Sequence, residues 1–228
     1  MNRTRHLVSS LHPKKFIQKR TNKRIIMKFA ENNGFVYFGH VSQRDDEHNL
    51  VRGLTVSPQH HDSHYSVGSA YGYDINLVER TDTIHVPGKI KRQHQWLIFE
   101  FDLHASRELP HIFLGHNQHS ANFYETLFTK FSRLQKVAVG TFGAYHSSFV
   151  QHFSIFTEPA ESLAAERLFD QTTAATIAVH FGSLSIEVAE NCLYLYTEQV
   201  YVSTKLLDTM LKNGLWLAGQ LDKNAEHI

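Results

Sequence analysis

Between Tyr65 and Leu77 the large apolar side chains stand on odd positions: Tyr65, Val67, Tyr71, Tyr73, Ile75 and Leu77, with Ser69 the exception. Ser66, Gly68, Ala70, Gly72, Asp74 and Asn76 fill the even ones. A strict period of two suits a pleated strand with one buried face, and a helix has no face that collects it. The pattern predicts a strand over 65–77 in an antiparallel sheet. Its glycines are expected at a bulge or where another element lies close.

Other short apolar runs extend that sheet. Strands are expected over Phe35–Phe38 and Leu50–Val56, with a polar loop at 42–49 between them. A turn is expected at Pro87-Gly88. Trp96–Leu103 is apolar on both faces, which predicts a central strand. The second half mixes types. Strands are expected at His111–Leu114, at Phe149–Thr157, and as a hairpin of 184–188 with 193–195 turning at Ala189-Glu190-Asn191. Helices are expected after Ser120, after Pro159 through Phe169, and at the C-terminal end, where Leu207, Met210, Leu211, Leu217, Ala218 and Leu221 share a face. Asn213-Gly214 is expected to kink or split that last helix. The fold class is therefore α+β, an antiparallel meander packed against several helices, preferred over a parallel α/β sheet.

The charge divides along the chain. Residues 1–28 hold nine cations (Arg3, Arg5, Lys14, Lys15, Lys19, Arg20, Lys23, Arg24 and Lys28) and no Asp or Glu. The other 200 residues hold 14 basic against 22 acidic groups. Pro13 fits a first helical position and Gly34 a stop, but Arg20 and Lys23 interrupt the apolar side of a long helix. A helix is expected from Asn22 to Asn33. The division expected is a basic arm over 1–24 and one α+β domain over 25–228. Lys14, Lys15, Lys19, Arg20, Lys23 and Arg24 are the candidate anion-binding residues. They suit an anionic membrane leaflet, an acidic protein surface or, less well given the acidic body, nucleic acid.

At 228 residues with 42% apolar and 20% charged side chains, the chain has the composition of a folded domain. One cysteine, Cys192, excludes an internal disulfide and reads as a small buried side chain. No apolar run reaches a bilayer span, and the N-terminal residues lack the apolar core of a secretory signal. A cytoplasmic protein, peripheral at the inner membrane face, is expected.

The spaced aromatics Phe149-x3-Phe153-x-Ile155-Phe156 are followed by an Ala/Leu-rich helix at 160–169, then Ile186-Glu187 and Leu193-Tyr194-Leu195-Tyr196. Before them stand Lys28-Phe29-Ala30-x3-Gly34-Phe35-x-Tyr37, Val51-x-Gly53 and the strand bearing Tyr71 and Tyr73. Over about residues 25–200 the chain resembles a bacterial family known as a domain of unknown function, whose members often follow a membrane segment. The resemblance implies work at or near a membrane and assigns no catalytic residue. Members commonly begin a later helix with Leu-x-Pro where this chain has Phe169-Asp170-Gln171, and the membrane segment is missing here.

Seventeen histidines raise metal chemistry as the alternative. His60, His61, Asp62 and His64 are the candidate ligands of a divalent metal, expected in a loop, with a metal-dependent hydrolase as the activity that would follow. His111, His116 and His119 form a second group around Gly115. Nucleophile motifs and phosphate-binding loops are absent, and Asp45-Asp46-Glu47 reads as a solvated loop. A non-catalytic binding domain with no resident cofactor is the leading expectation.

Overall fold

The computed structural model describes residues 13–40, 60–84, 92–117, 133–138, 145–198 and 201–228. The strand expected at 50–56, the turn at Pro87-Gly88 and the helix after Ser120 lie outside them, as do the 42–49 loop and His119.

The chain enters on helix α1 (Pro13–Asn32), which starts on Pro13 and ends at Gly34 with a φ of 71°. Strand β1 (Val36–Gly39) follows. The tyrosine-bearing segment is two strands rather than one: β2 (His60–Ala70) and β3 (Tyr73–Ile84). Tyr71 and Gly72 turn between them, both at positive φ. Val67 stands opposite Asn76 and Gly68 opposite Ile75. Odd positions of β2 therefore share a face with even positions of β3, and a two-residue turn hides inside an unbroken alternation. The expected close approach occurs at Gly68, where a Cβ would fall 2.1 Å from the Phe35 ring.

Strand β4 (Arg92–Asp102) is central as expected, paired with β3 on one side. Next come β5 (Ile112–His116), β6 (Gln135–Lys136), the short helix α2 (Ser147–His152) and β7 (Phe153–Thr157). The strand expected from Phe149 thus begins only at Phe153. Phe149 lies in α2, capped by the His146 ring accepting from the Ser148 amide, so that Phe149 and Phe153 stack at 5.5 Å. A 3-10 turn at Pro159–Glu161 leads into α3 (Ser162–Leu168). Helix α4 (Gln171–His180) is not among the helices expected from the residues themselves; it begins where members of the resembled family start a later helix, without their Leu-x-Pro, and is capped by Asp170 Oδ1 accepting from Thr173 N at 2.7 Å. The hairpin β8 (Ser185–Ala189) and β9 (Cys192–Thr197) turns on Glu190 and Asn191, both at positive φ. Helix α5 (Thr204–Ala225) closes the chain. It runs unbroken through Gly214, where a Cβ would come within 2.0 Å of Phe101 Cζ. Gly214 lets the helix lie against the sheet instead of splitting it.

Among the described residues nine strands form one antiparallel sheet in the order β1-β2-β3-β4-β9-β8-β5-β7-β6. The first four meander as expected. β5 then inserts between β8 and β7, with Ile112 opposite both Thr157 and Val188. Ile75, Leu77, Phe99, Phe101, Leu114, Leu193 and Leu195 line one face with Ile26 and Phe29 of α1 and Leu207, Met210 and Leu217 of α5. The fold is thus α+β with a basic N-terminal helix on the helical face. The other face buries Val78, Trp96, Ile98, Phe113, Tyr194 and Tyr196, and among them stand Arg80, Asp82, Glu100 and Glu187.

Candidate functional site

Helix α1 has a dry underside and a charged outside. Ile26, Phe29 and Ala30 are fully buried or nearly so. Asn22, also buried, receives Gln18 Nε2 and the Val202 amide on Oδ1 and donates to Glu79 Oε2 at 3.2 Å. Lys19, Arg20, Lys23, Arg24 and Lys28 are all exposed. Lys14 and Lys15 belong to the first turn, with their side chains outside the described residues. No acidic residue offsets them in that turn. Cations at a helix N-terminus oppose the macrodipole by about 0.3–1 kcal/mol each. The helix therefore carries these charges against its own local stability and is held by docking. Among the described residues no ion pair engages Lys19, Lys23, Arg24 or Lys28. All six candidate anion-binding cations thus fall on one helix that runs continuously through residues 24 and 25.

The four candidate metal ligands lie in β2, not in a loop, and the pleat separates them. Asp62 turns to the second face and accepts from Arg80 Nε and Nη2, each at 2.7 Å. Burial works against the Arg80 charge, but the Asp62 hydrogen bonds and charge outweigh it and hold the guanidinium pKa above its ordinary value. His61, next to Asp62, is exposed. His64 takes a positive φ at a bulge and bonds the Tyr37 hydroxyl at 2.8 Å. Burial lowers its pKa against the pull of Glu79, and Lys23 and Lys19 push the same way as burial. Among the described residues no three His, Cys, Asp or Glu side chains form a metal-holding group.

His111 and His116 stand on or beside β5, with four strands between them and β2. At about 4.8 Å per strand that is about 24 Å, so the two histidine groups do not converge. His111 Nε2 donates to Glu187 Oε1 at 2.7 Å, and the Tyr196 hydroxyl donates to Glu187 Oε2. His111 and Glu187 line a pocket of about 530 Å³ together with Glu108, Glu158, Glu161 and Glu190. The pocket is not legible in the sequence, because its carboxylates come from three separate segments, around 108, 158–161 and 187–190. It favours positive charge. Cys192 donates its thiol to Asp102 Oδ1 at 3.2 Å, and burial pushes the thiol pKa far up, so it is the unreactive buried cysteine expected.

No helix among the described residues is long and apolar enough to cross a membrane. No protein-family model matches the chain, and no curated protein does. The resemblance to a domain of unknown function is thus neither named by a family model nor opposed by one. A solved structure does match. The crystal structure of the mycobacterial trehalose monomycolate transport factor A, TtfA, is 11% identical, covers 90% of this chain and 94% of its own, and superposes with a TM-score of 0.59. At that identity the likeness is one of fold, and the α+β sheet with its helical layer is what the two chains share.

Proposed function

We propose that this protein is a non-catalytic binding module that sits against an anionic surface, with α1 as the contact and the cytoplasmic leaflet of a membrane as the surface. The observation that carries the reading is the two-sided character of α1. Its underside is spent on the core through Asn22, Ile26, Phe29 and Ala30, while Lys19, Arg20, Lys23, Arg24 and Lys28 face outward. Each cation near an anionic leaflet contributes about 1 kcal/mol, so five supply useful attraction where one or two do not. The helix is docked, so its charges act as a patch rigid with the body.

The test is co-sedimentation of the full chain with neutral and with phosphatidylserine-containing vesicles at low and high salt. Binding is expected to anionic vesicles only, to weaken with salt, and to be lost when Lys19, Lys23, Arg24 and Lys28 are changed to Glu. Those residues are exposed, so the variant should melt as the parent does. Binding that ignores either the charge reversal or the salt would sink the reading.

A further inference from the structure

We propose that His40 and His61 form a two-imidazole site for a borderline divalent ion such as zinc, clipping the end of β1 to β2. The two rings come from segments 21 residues apart and lie with centroids 4.6 Å apart, tilted by 38°. Two nitrogens held about 2.0 Å from one zinc stand about 3 Å from each other, a spacing within reach of two rings whose centroids lie 4.6 Å apart once the exposed His61 ring turns about its side-chain bonds. Both side chains are exposed, so the ion reaches them without opening the fold, and water completes its coordination.

His40 is also oriented for the task. Its Nδ1 stands 3.1 Å from the backbone carbonyl of Asp62. A carbonyl only accepts, so Nδ1 carries the proton and the Nε2 lone pair is left for a ligand. This is the outer-shell arrangement that fixes tautomer and ring direction in metal-binding histidines. Asp62 itself is held by two hydrogen bonds from the buried Arg80, so the carbonyl that orients His40 belongs to an immobile residue. The pleat that removes Asp62 from the ligand set expected from sequence leaves His61 on the opposite side, where His40 meets it. The ion would add a link across the short edge strand β1, whose register against β2 shifts between Tyr37 and Gly39. The inference is independent of the role of α1.

The test titrates zinc calorimetrically into the full, untagged and metal-stripped chain, alongside His40→Gln, His61→Gln and His227→Ala. Glutamine in place of His40 keeps an N–H for the Asp62 carbonyl, so a loss of binding is not a loss of fold. His227 is exposed and distant in sequence, and serves as the control for binding by other histidines. One saturable site is expected in the parent and in His227→Ala, weakened about tenfold or more by either glutamine substitution. With copper as the probe, electron paramagnetic resonance should count two imidazole nitrogens in the parent. Unchanged zinc affinity in either glutamine variant, or a parent Kd above about 0.1 mM, overturns the proposal.

Discussion

Glu100 stands on the second face of the sheet, accepts from Asn76 Nδ2 at 2.8 Å and from the Tyr194 hydroxyl at 3.4 Å, and has no cation among those partners. Burial raises its pKa above the ordinary carboxyl value, against the lowering pull of the Asn76 bond. A group whose pKa is higher folded than unfolded binds more protons in the fold. Its contribution to stability is whole below the unfolded pKa and is lost as pH rises through the folded one. Glu100→Gln keeps the site uncharged at every pH. The difference in unfolding free energy between the Glu100→Gln variant and the parent should therefore shift in favour of the variant from the ordinary carboxyl range up to neutrality. Denaturant unfolding across that range checks it, and parallel curves would show that Glu100 ionises without cost. Residues of this kind are hidden in the sequence. Nothing in the sequence singles out Glu100 or Arg80, because neither the partner strand nor its register is visible locally. The histidine run misleads in the other direction, since adjacency in the chain suggests convergence where the pleat sends neighbours apart.

Elements with a local signal are legible, and those made by tertiary contact are not. The period of two in β3, the mixed faces of β4 and the apolar stripe of α5 each follow from burial on one or two sides. Helix α4 escapes because Gln171–His180 is rich in threonine and lacks a clean stripe, leaving the Asp170 cap as its one sign. Helix α1 begins nine residues before the Asn22 expected from its stripe, since docking on α5, β1 and β2 supplies what propensity does not. Gly214 shows how a residue-level signal is misread without its neighbour. In an exposed helix its replacement by alanine would gain about 1 kcal/mol. Here the new methyl meets Phe101 at 2.0 Å and 2.2 Å, and overpacking of that kind costs about 1–3 kcal/mol. Gly214→Ala is expected to lower the melting temperature, and Phe101→Leu added to it to recover part of the loss. A rise in melting temperature for the single variant would mean that the ring yields freely and that the close approach constrains nothing.

At the scale of the molecule the sheet joins the two halves of the chain. β4 pairs with β3 from the first half and with β9 from the second, Phe99 standing opposite both Leu77 and Leu195. α5 packs on β4 and β9 together, and α1 packs on α5 as well as on β1 and β2, so the two terminal helices and the sheet share one core. This arrangement predicts that no part unfolds alone. A structural break between the halves would have to separate β4 from β9 and strip α5 from one of them, exposing Phe99, Phe101, Leu193 and Leu195, all buried. The two tryptophans report from different places. Trp96 is buried on β4 at the second face, whereas Trp216 on α5 meets the Phe181 ring beyond α4 at 6.1 Å. Each is changed to Phe in turn, and guanidinium unfolding is followed by fluorescence of the one that remains and by far-ultraviolet circular dichroism. In each variant the transition of the remaining tryptophan should coincide with that of the backbone signal, as a two-state unit requires. Separate midpoints for the Trp96 fluorescence and the backbone signal would divide the chain at the β4–β9 seam. In that case the rigid coupling of α1 to the body, on which its basic face depends for a fixed orientation, would fail with it.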